Sequence, residues 1–272
     1  MTERFTLRTA AIHGIMLILA LLAIVPVYWM VITSLKPDNE IFSLSVWPDS
    51  PTLENYAYVL TGLPMLRILW NTTIMSAATA TAQVLTGLLA AYALTRWRFR
   101  GSGLVHTLIG LSWLVPFQVT MIPNYVLASR LGLLDTITGL VVPNAAAAFA
   151  VLVLYNAFRG FPKEVIEAAR MDGASHWRTL WEVILPNLRA PLASLGVLAF
   201  ISAWNEYFWP LLLIRHLDNA VVQIGLQMFM TQEGSQWGAM MAAATLATLP
   251  ILGIYLILHR QVIDSFMKSG IR

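Results

Sequence analysis

Residues 162–186 read PKEVIEAARMDGASHWRTLWEVILP, a charged stretch between two long apolar runs. Pro162 suits the start of a helix, because its missing N–H is one that a first turn leaves unpaired. Glu164 and Glu167 then fall in the early turns, where acidic groups favour the positive end of the helix dipole. Glu167, Ala168, Ala169 and Met171 give a short helix of little bulk, which another protein's groove can approach closely. Asp172-Gly173 supplies a break, since glycine tolerates the left-handed conformation that ends helices. A second helical stretch is expected over Ala174 to Leu185, closing at Pro186. The spacing describes a handle for a partner rather than a bond-making centre.

Other residues with chemical potential are sparse. Glu206, in WNEY, is the one carboxylate deep in an apolar run, where a charge is costly and marks a functional position by default. It lines a solute path, or with Asn205 it hydrogen-bonds to neighbouring helices while Trp204, Tyr207 and Trp209 sit as interface aromatics. Trp204 and Trp209 also have faces on which a sugar ring can stack. Gln118, Asn124 and Asn144 lie near Pro116 and Pro143, which with Pro210 and Pro250 interrupt helical bonding. These amides line a polar path or satisfy the carbonyls the prolines free. The substrate-path set is therefore Gln118, Asn124, Asn144, Trp204, Asn205 and Glu206. The histidines, at 13, 106, 176, 216 and 259, show no metal-ligand spacing. There is no cysteine, hence no disulfide, thiolate metal site or cysteine nucleophile. No Ser-His-Asp set can be assembled from water-facing segments. The chain also lacks a G-x4-G-K-[ST] phosphate loop, so it cannot cradle ATP in that way. No enzyme activity, metal or cofactor is expected on this chain.

The elements that must position these residues are membrane helices. Of 272 residues, 58% are hydrophobic and 11% charged, against roughly a quarter charged in soluble domains. A bilayer core needs about 20 mostly apolar residues per helix. Six runs meet that length, at Ala11–Ser34, Leu69–Thr95, Leu104–Ser129, Thr136–Phe158, Ala190–Ile214 and Gly238–His259. The first is too long for a signal-peptide core and lacks a clear small-residue cleavage site, so it is expected to stay as a helix. Of the 17 Lys and Arg, only Lys36, Arg67, Arg130 and Arg215 fall outside when the N-terminus is placed in the cytoplasm. The positive-inside rule therefore puts both termini and residues 162–186 on the cytoplasmic side. The scattered basic residues form no stripe of the kind that binds nucleic acid. Two long outer connections follow, Leu35–Ile68 and Arg215–Trp237, the second a candidate contact for a partner protein. Small residues in SAATATA (76–82) and AAAAFA (145–150) suit close helix packing in lipid.

Glu167-Ala168-Ala169, Gly173 and Leu185-Pro186 match EAA-x3-G-x9-I-x-L-P, with Val183 at the isoleucine position. The segment thus resembles the EAA loop of permease subunits of bacterial ABC importers. AARMDGAS, followed by AWNEYFWPLLL at 203–213, resembles the carbohydrate-type subfamily of the maltose and glycerol-3-phosphate importers, specifically the second permease of the pair. The likeness runs from about Leu66 to Gln261, and the end of the chain, DSFMKSGIR, is shorter than the glycine-rich tail of the sugar members.

The resemblance implies an all-α polytopic protein with six transmembrane helices and the type I ABC importer permease fold. Residues 1–67 would form an N-terminal helix and outer loop, 68–262 the transmembrane core with its EAA loop at 160–186, and 263–272 a cytoplasmic tail. It also implies a bacterial inner membrane location. The partners would be a homologous second permease, two ATPase subunits that bind ATP and Mg, an extracytoplasmic solute-binding protein and membrane lipid. Glu167, Ala168, Ala169, Met171, Asp172, Gly173, Leu185 and Pro186 would couple to the ATPase, with Glu167 accepting a bond from a basic residue there. The cargo would be a sugar, polyol, glycerol phosphodiester or glycerol-3-phosphate. The rival class is an ion-gradient-driven carrier in which Glu206 titrates, a class that often shows two related halves.

Overall fold

The computed structural model describes residues 7–97, 99–231 and 234–270. The helices are α1 (Leu7–Ser34), α2 (Glu54–Gly62), α3 (Met65–Arg96), α4 (Ser102–Trp113), α5 (Phe117–Arg130), α6 (Ile137–Val141), α7 (Ala148–Arg159), α8 (Lys163–Met171), α9 (His176–Arg178), α10 (Leu185–Asn187), α11 (Arg189–Trp204), α12 (Phe208–Leu213), α13 (Val222–Gln227) and α14 (Trp237–Gly270). A π-helical stretch, Thr179–Ile184, joins α9 to α10. The two strands described are two residues each, Met230–Thr231 paired antiparallel with Gly234–Ser235. Gln232 and Glu233 of the expected partner loop, Arg98 among the positive-inside residues, and the tail's last two residues lie outside the described residues.

The chain divides into one unit of residues 1–66 and 225–249 and another of 67–224 and 250–272. In the first, α1 is an exposed apolar helix long enough to cross a membrane. Asn55 of α2 closes the turn after it, donating to the carbonyls of Ser34 (3.1 Å) and Lys36 (2.9 Å). Gly238 of α14 is needed there, because a Cβ would fall 2.5 Å from the Asn55 amide oxygen.

The second unit carries the candidate sites. Its main core joins Leu88, Ala91 and Tyr92 of α3 to Ala150, Leu154 and Phe158 of α7, with Leu180, Ile184 and Leu195 further along the chain. Ala150, the last residue of the AAAAFA run, lies at such a crossing: a Cβ on Gly87 would stand 2.9 Å from its own. A second knot ties the α5–α6 loop to the α12–α13 connection. Asp135 has φ 57°, and its carboxylate accepts from the N–H groups of Arg215 (2.9 Å) and His216 (3.2 Å) and pairs with the His216 ring. The Arg215 amide first, and His216 after it, hold this carboxyl well below the usual carboxylate range.

Three of the six expected spans are not straight. Thr9–Ser34, Met65–Arg96 and Trp237–Ile257 are each long and apolar enough to cross alone. The expected third span, Leu104–Ser129, bends by 97° between α4 and α5. Pro116 accounts for the break, since it cannot donate to the residue four before it and biases its predecessor away from helix. The fourth, Thr136–Phe158, bends by 47° after Asn144, beside Pro143. The fifth, Ala190–Ile214, stops at Trp204 and resumes at Phe208. A continuous helix would aim the carbonyl of Glu206 at Pro210, which has no N–H; in α12 the proline lies in the first turn, where none is required. Residues 176–187 also meet α11 at 80°. Counting each bent pair as one span gives up to six.

Candidate functional site

The segment after α7 begins with Pro162 at the cap of α8, with Glu164 in the first turn and Arg170 in the last, as the helix dipole favours. Ile166 is the buried side chain of α8 and inserts into the core formed by α3 and α7. Glu167, Ala168, Arg170 and Met171 are exposed and Ala169 is half-buried. The helix ends in a Schellman turn: Ala174 donates to the carbonyl of Ala169 and Gly173 to that of Arg170, both at 3.0 Å. Gly173 takes φ +77°, a conformation that a side chain resists, and has open space around it. Ser175 caps the next helix by accepting from the Arg178 N–H (3.2 Å). From α3, the Tyr92 hydroxyl donates to the His176 carbonyl (2.8 Å). Backbone bonds and one apolar anchor thus hold α8 while its other side chains stay available.

The expected second stretch, Ala174–Leu185, differs in shape. It starts at His176, widens into the π-helical turn and runs past Pro186 to Asn187. In an α-helix the missing Pro186 N–H would have gone to Glu182; the wider turn gives the ring room without ending the helix. Leu185 is half-buried and Pro186 exposed.

A second constellation lies between α3, α4, α5, α7 and α11. A cavity of about 700 Å³ is lined by Gln83, Ser112, Thr120, Asn124, Asn144 and Ser202 among its polar residues, and by Trp113 and Phe149 among its aromatics. Those two rings lie 5.7 Å apart between centroids. A smaller cavity of about 70 Å³ shares Gln83, Asn144 and Ser202 and adds Thr79, Glu206 and Trp209. Gln83 donates to the Asn144 carbonyl (2.9 Å), Thr86 to that of Ala145 (2.9 Å) and Trp209 Nε1 to that of Gly139 (3.1 Å). These bonds satisfy carbonyls that the bend near Pro143 leaves without helical partners. The arrangement offers a solute hydroxyls, amides and one carboxylate, in reach of aromatic faces.

The sequence pattern described as binding-protein-dependent transport system inner membrane component matches residues 83–267, from Gln83 past the charged segment and through Glu206. The chain belongs to that family. This permease is a multi-pass inner membrane component of a transport system, not an enzyme. It is 30% identical over 271 residues to the diacetylchitobiose uptake system permease protein NgcG of Streptomyces coelicolor, covering 97% of this chain and 90% of the relative. It is 28% identical over 267 residues to the sn-glycerol-3-phosphate transport system permease protein UgpE of Yersinia enterocolitica, covering 94% and 95%. Among solved structures, a bacterial ABC transporter involved in the import of the acidic polysaccharide alginate matches with a TM-score of 0.81 and 25% identity, over 95% of this chain and 99% of that one. The permease has the all-α, type I ABC importer fold that the resemblance implied.

Of the residues expected along a substrate path, the permease brings Asn144 and Glu206 to the smaller cavity and Asn124 and Asn144 to the larger. Glu206 lies in the break between α11 and α12, not deep in a helix, and accepts from the Trp209 N–H (3.3 Å). Asn205 is exposed and donates to the Ile201 carbonyl (2.9 Å). Gln118 is exposed and does not line either cavity. Trp204 is 1% exposed and stacks on Phe200 at 5.6 Å in a separate core, which leaves its faces covered. Gln83, Ser202 and Trp113 carry no role in the sequence reading, and Thr79 figures there only as a small residue of SAATATA. A signal for two of them existed: Thr72, Ser76, Thr79, Gln83 and Thr86 recur at intervals of three and four, one polar face of α3.

Proposed function

We propose that this permease is a membrane subunit of an ATP-driven importer for a carbohydrate-type solute, and that it works by alternating access coupled through residues 163–186 to a separate ATPase. The observation that carries the reading is α8 itself. It is held by Ile166 and a Schellman turn, and it presents Glu167, Ala168, Arg170, Met171 and Asp172 outward. Small side chains beside the Glu167 carboxylate suit docking into a cleft that supplies a basic partner. Closure of that cleft would move α8 and the core that Ile166 enters.

The cargo assignment rests on the cavity and on the relatives. Relatives are named for diacetylchitobiose, lactose and sn-glycerol-3-phosphate transport. Hydroxyls, amides and the Trp113–Phe149 pair suit a solute rich in hydroxyls. Asn124, Asn144 and Glu206 are the path residues of this reading. The assembly would hold a homologous second permease, two ATPases that bind the ATP and Mg, and an extracytoplasmic solute-binding protein. Both termini would be cytoplasmic, with residues 1–67 as the N-terminal helix and outer loop, 68–262 as the core and 263–272 as the tail.

The test is purification of the tagged chain from its native membrane under mild conditions, followed by reconstitution. Recovery of an ATPase and a solute-binding protein, with uptake that needs ATP and survives collapse of the ion gradients, is the expected result. A chain that purifies alone and takes up solute only with a proton or sodium gradient would overturn it in favour of a carrier using Glu206.

A further inference from the structure

The segment after α1 is built inside out for a watery connection. Along Phe42 to Val46 the side chains alternate. Phe42, Leu44 and Val46 are 81%, 88% and 67% exposed, followed by Trp47 at 60%, while Ser43 and Ser45 turn inward and share a hydroxyl bond of 2.7 Å. A strand that met only water would put the serines out and the large apolar groups in. An apolar patch of this kind marks an interaction surface.

The backbone of the same segment is paired as an apolar setting requires. Lys36 is fully buried, and its ammonium donates to the carbonyls of Ser43 (2.8 Å) and Ser45 (3.1 Å) while lying 4.8 Å from the centre of the Trp29 ring. The Tyr28 hydroxyl donates to the carbonyl of Val46 (2.7 Å). Three carbonyls beside the exposed apolar side chains are thus satisfied by side chains from α1 and its end. Water does not need to reach them.

Depth follows from the Tyr28 bond. Helix α1 has 28 residues, about 42 Å at 1.5 Å per residue, close to the roughly 40–45 Å of a bilayer with its headgroup layers. Tyr28 lies six residues before Ser34, about 9 Å back along the helix, near the depth where hydrocarbon begins. Val46 is therefore pinned at that depth, and its apolar neighbours continue the exposed surface of α1, where Val25 and Val27 also stand free of the chain. We propose that residues 42–47 form an interfacial anchor that lies in the bilayer at the Ser34 end of the first span, with Phe42, Leu44 and Val46 in phospholipid at the boundary of headgroups and acyl chains. Trp47 fits the same belt, where aromatic rings with one polar edge collect. Lys36 and Tyr28 are positioning residues that fold the anchor back onto α1.

The absence of native cysteine makes the test direct. Single variants Phe42→Cys, Leu44→Cys and Val46→Cys, with exposed Ser50→Cys as the reference, carry a nitroxide in the full chain, reconstituted into phospholipid vesicles with its co-purifying subunits. Collision rates with oxygen, which concentrates in lipid, and with a water-soluble nickel chelate are then compared. The expected ratio of oxygen to nickel at 42, 44 and 46 is several-fold above that at 50, and adding Tyr28→Phe to the Val46→Cys variant lowers it. A ratio at 42, 44 and 46 like that at 50 would overturn the proposal in favour of water. Low collision with both reagents would overturn it in favour of a protein partner covering the patch.

Discussion

The helix α8 and the cavity beside Asn144 solve opposite problems. In α8 the carbonyls of the C-terminal turn are satisfied by the backbone itself, through the turn at Gly173, so the side chains of Glu167, Ala168 and Met171 stay available. Around Asn144 the reverse holds: Gln83, Thr86 and Trp209 use their side chains to satisfy carbonyls that the bend exposes. On the proposed reading, function and stability can therefore be separated in α8, whereas in the cavity wall the same atoms would serve both. A residue that faces outward from a self-capped helix can be changed without cost to the fold; a residue that repairs a broken helix cannot.

The strongest way to break this contrast is Glu167→Lys. Uptake should fall to background while insertion and the thermal midpoint stay near those of the parent, since an exposed change of this type costs within about 0.5 kcal/mol. Parent-level uptake, or loss of the folded protein, would remove the separation. Next in size is Gly87→Leu, which forces a side chain against Ala150 across the α3–α7 crossing. Overpacking there should cost about 1–3 kcal/mol, seen as a lower unfolding midpoint in detergent, and an unchanged midpoint would show that the crossing is looser than described. Gln83→Ala sharpens the cavity side of the comparison. It leaves the Asn144 carbonyl without this donor, and about 1 kcal/mol of stability should be lost together with a several-fold drop in uptake; a drop in uptake alone would make Gln83 a solute contact only. The smallest effect is expected for Glu206→Gln, which keeps a side-chain oxygen for the Trp209 N–H. ATP-driven uptake should persist, and its loss in a well-folded complex would show that the path needs the Glu206 charge and not its oxygen alone.

How far the sequence could be read depends on the same contrast. The α8 surface occupies adjacent positions, so its break at Asp172-Gly173 and its outward Glu167 are visible in one line of residues. The cavity is assembled from Gln83, Asn124, Asn144 and Ser202, which only the fold brings together. Hydropathy finds apolar length but carries no direction, so the angles of the three bent spans are not legible in it. Pro116, Pro143 and Pro210 marked the breaks, but a proline alone does not distinguish a kink from a stop. The polar face at Thr72, Ser76, Thr79, Gln83 and Thr86 is hidden in the sequence because Ser76 and Thr79 sit among the small residues of SAATATA, and because Ser and Thr can return their hydroxyls to their own helix, as Thr86 does to Ala82 at 2.8 Å. Trp204 looked like a stacking platform because its type permits it; packing against Phe200 decided otherwise.

The lysine clasp after α1 also bears on the order in which the protein is made. Every bond in it is short in sequence: Lys36 reaches Ser43 and Ser45, and Tyr28 reaches Val46. At roughly 5–20 residues per second of synthesis, the interval from Tyr28 to Val46 passes in about 1–4 s. The first span and its clasp can therefore be complete before α3 has emerged from the ribosome. A newborn chain would leave the insertion machinery with one end already moored, and the later, proline-broken helices would have a fixed point from which to find their places.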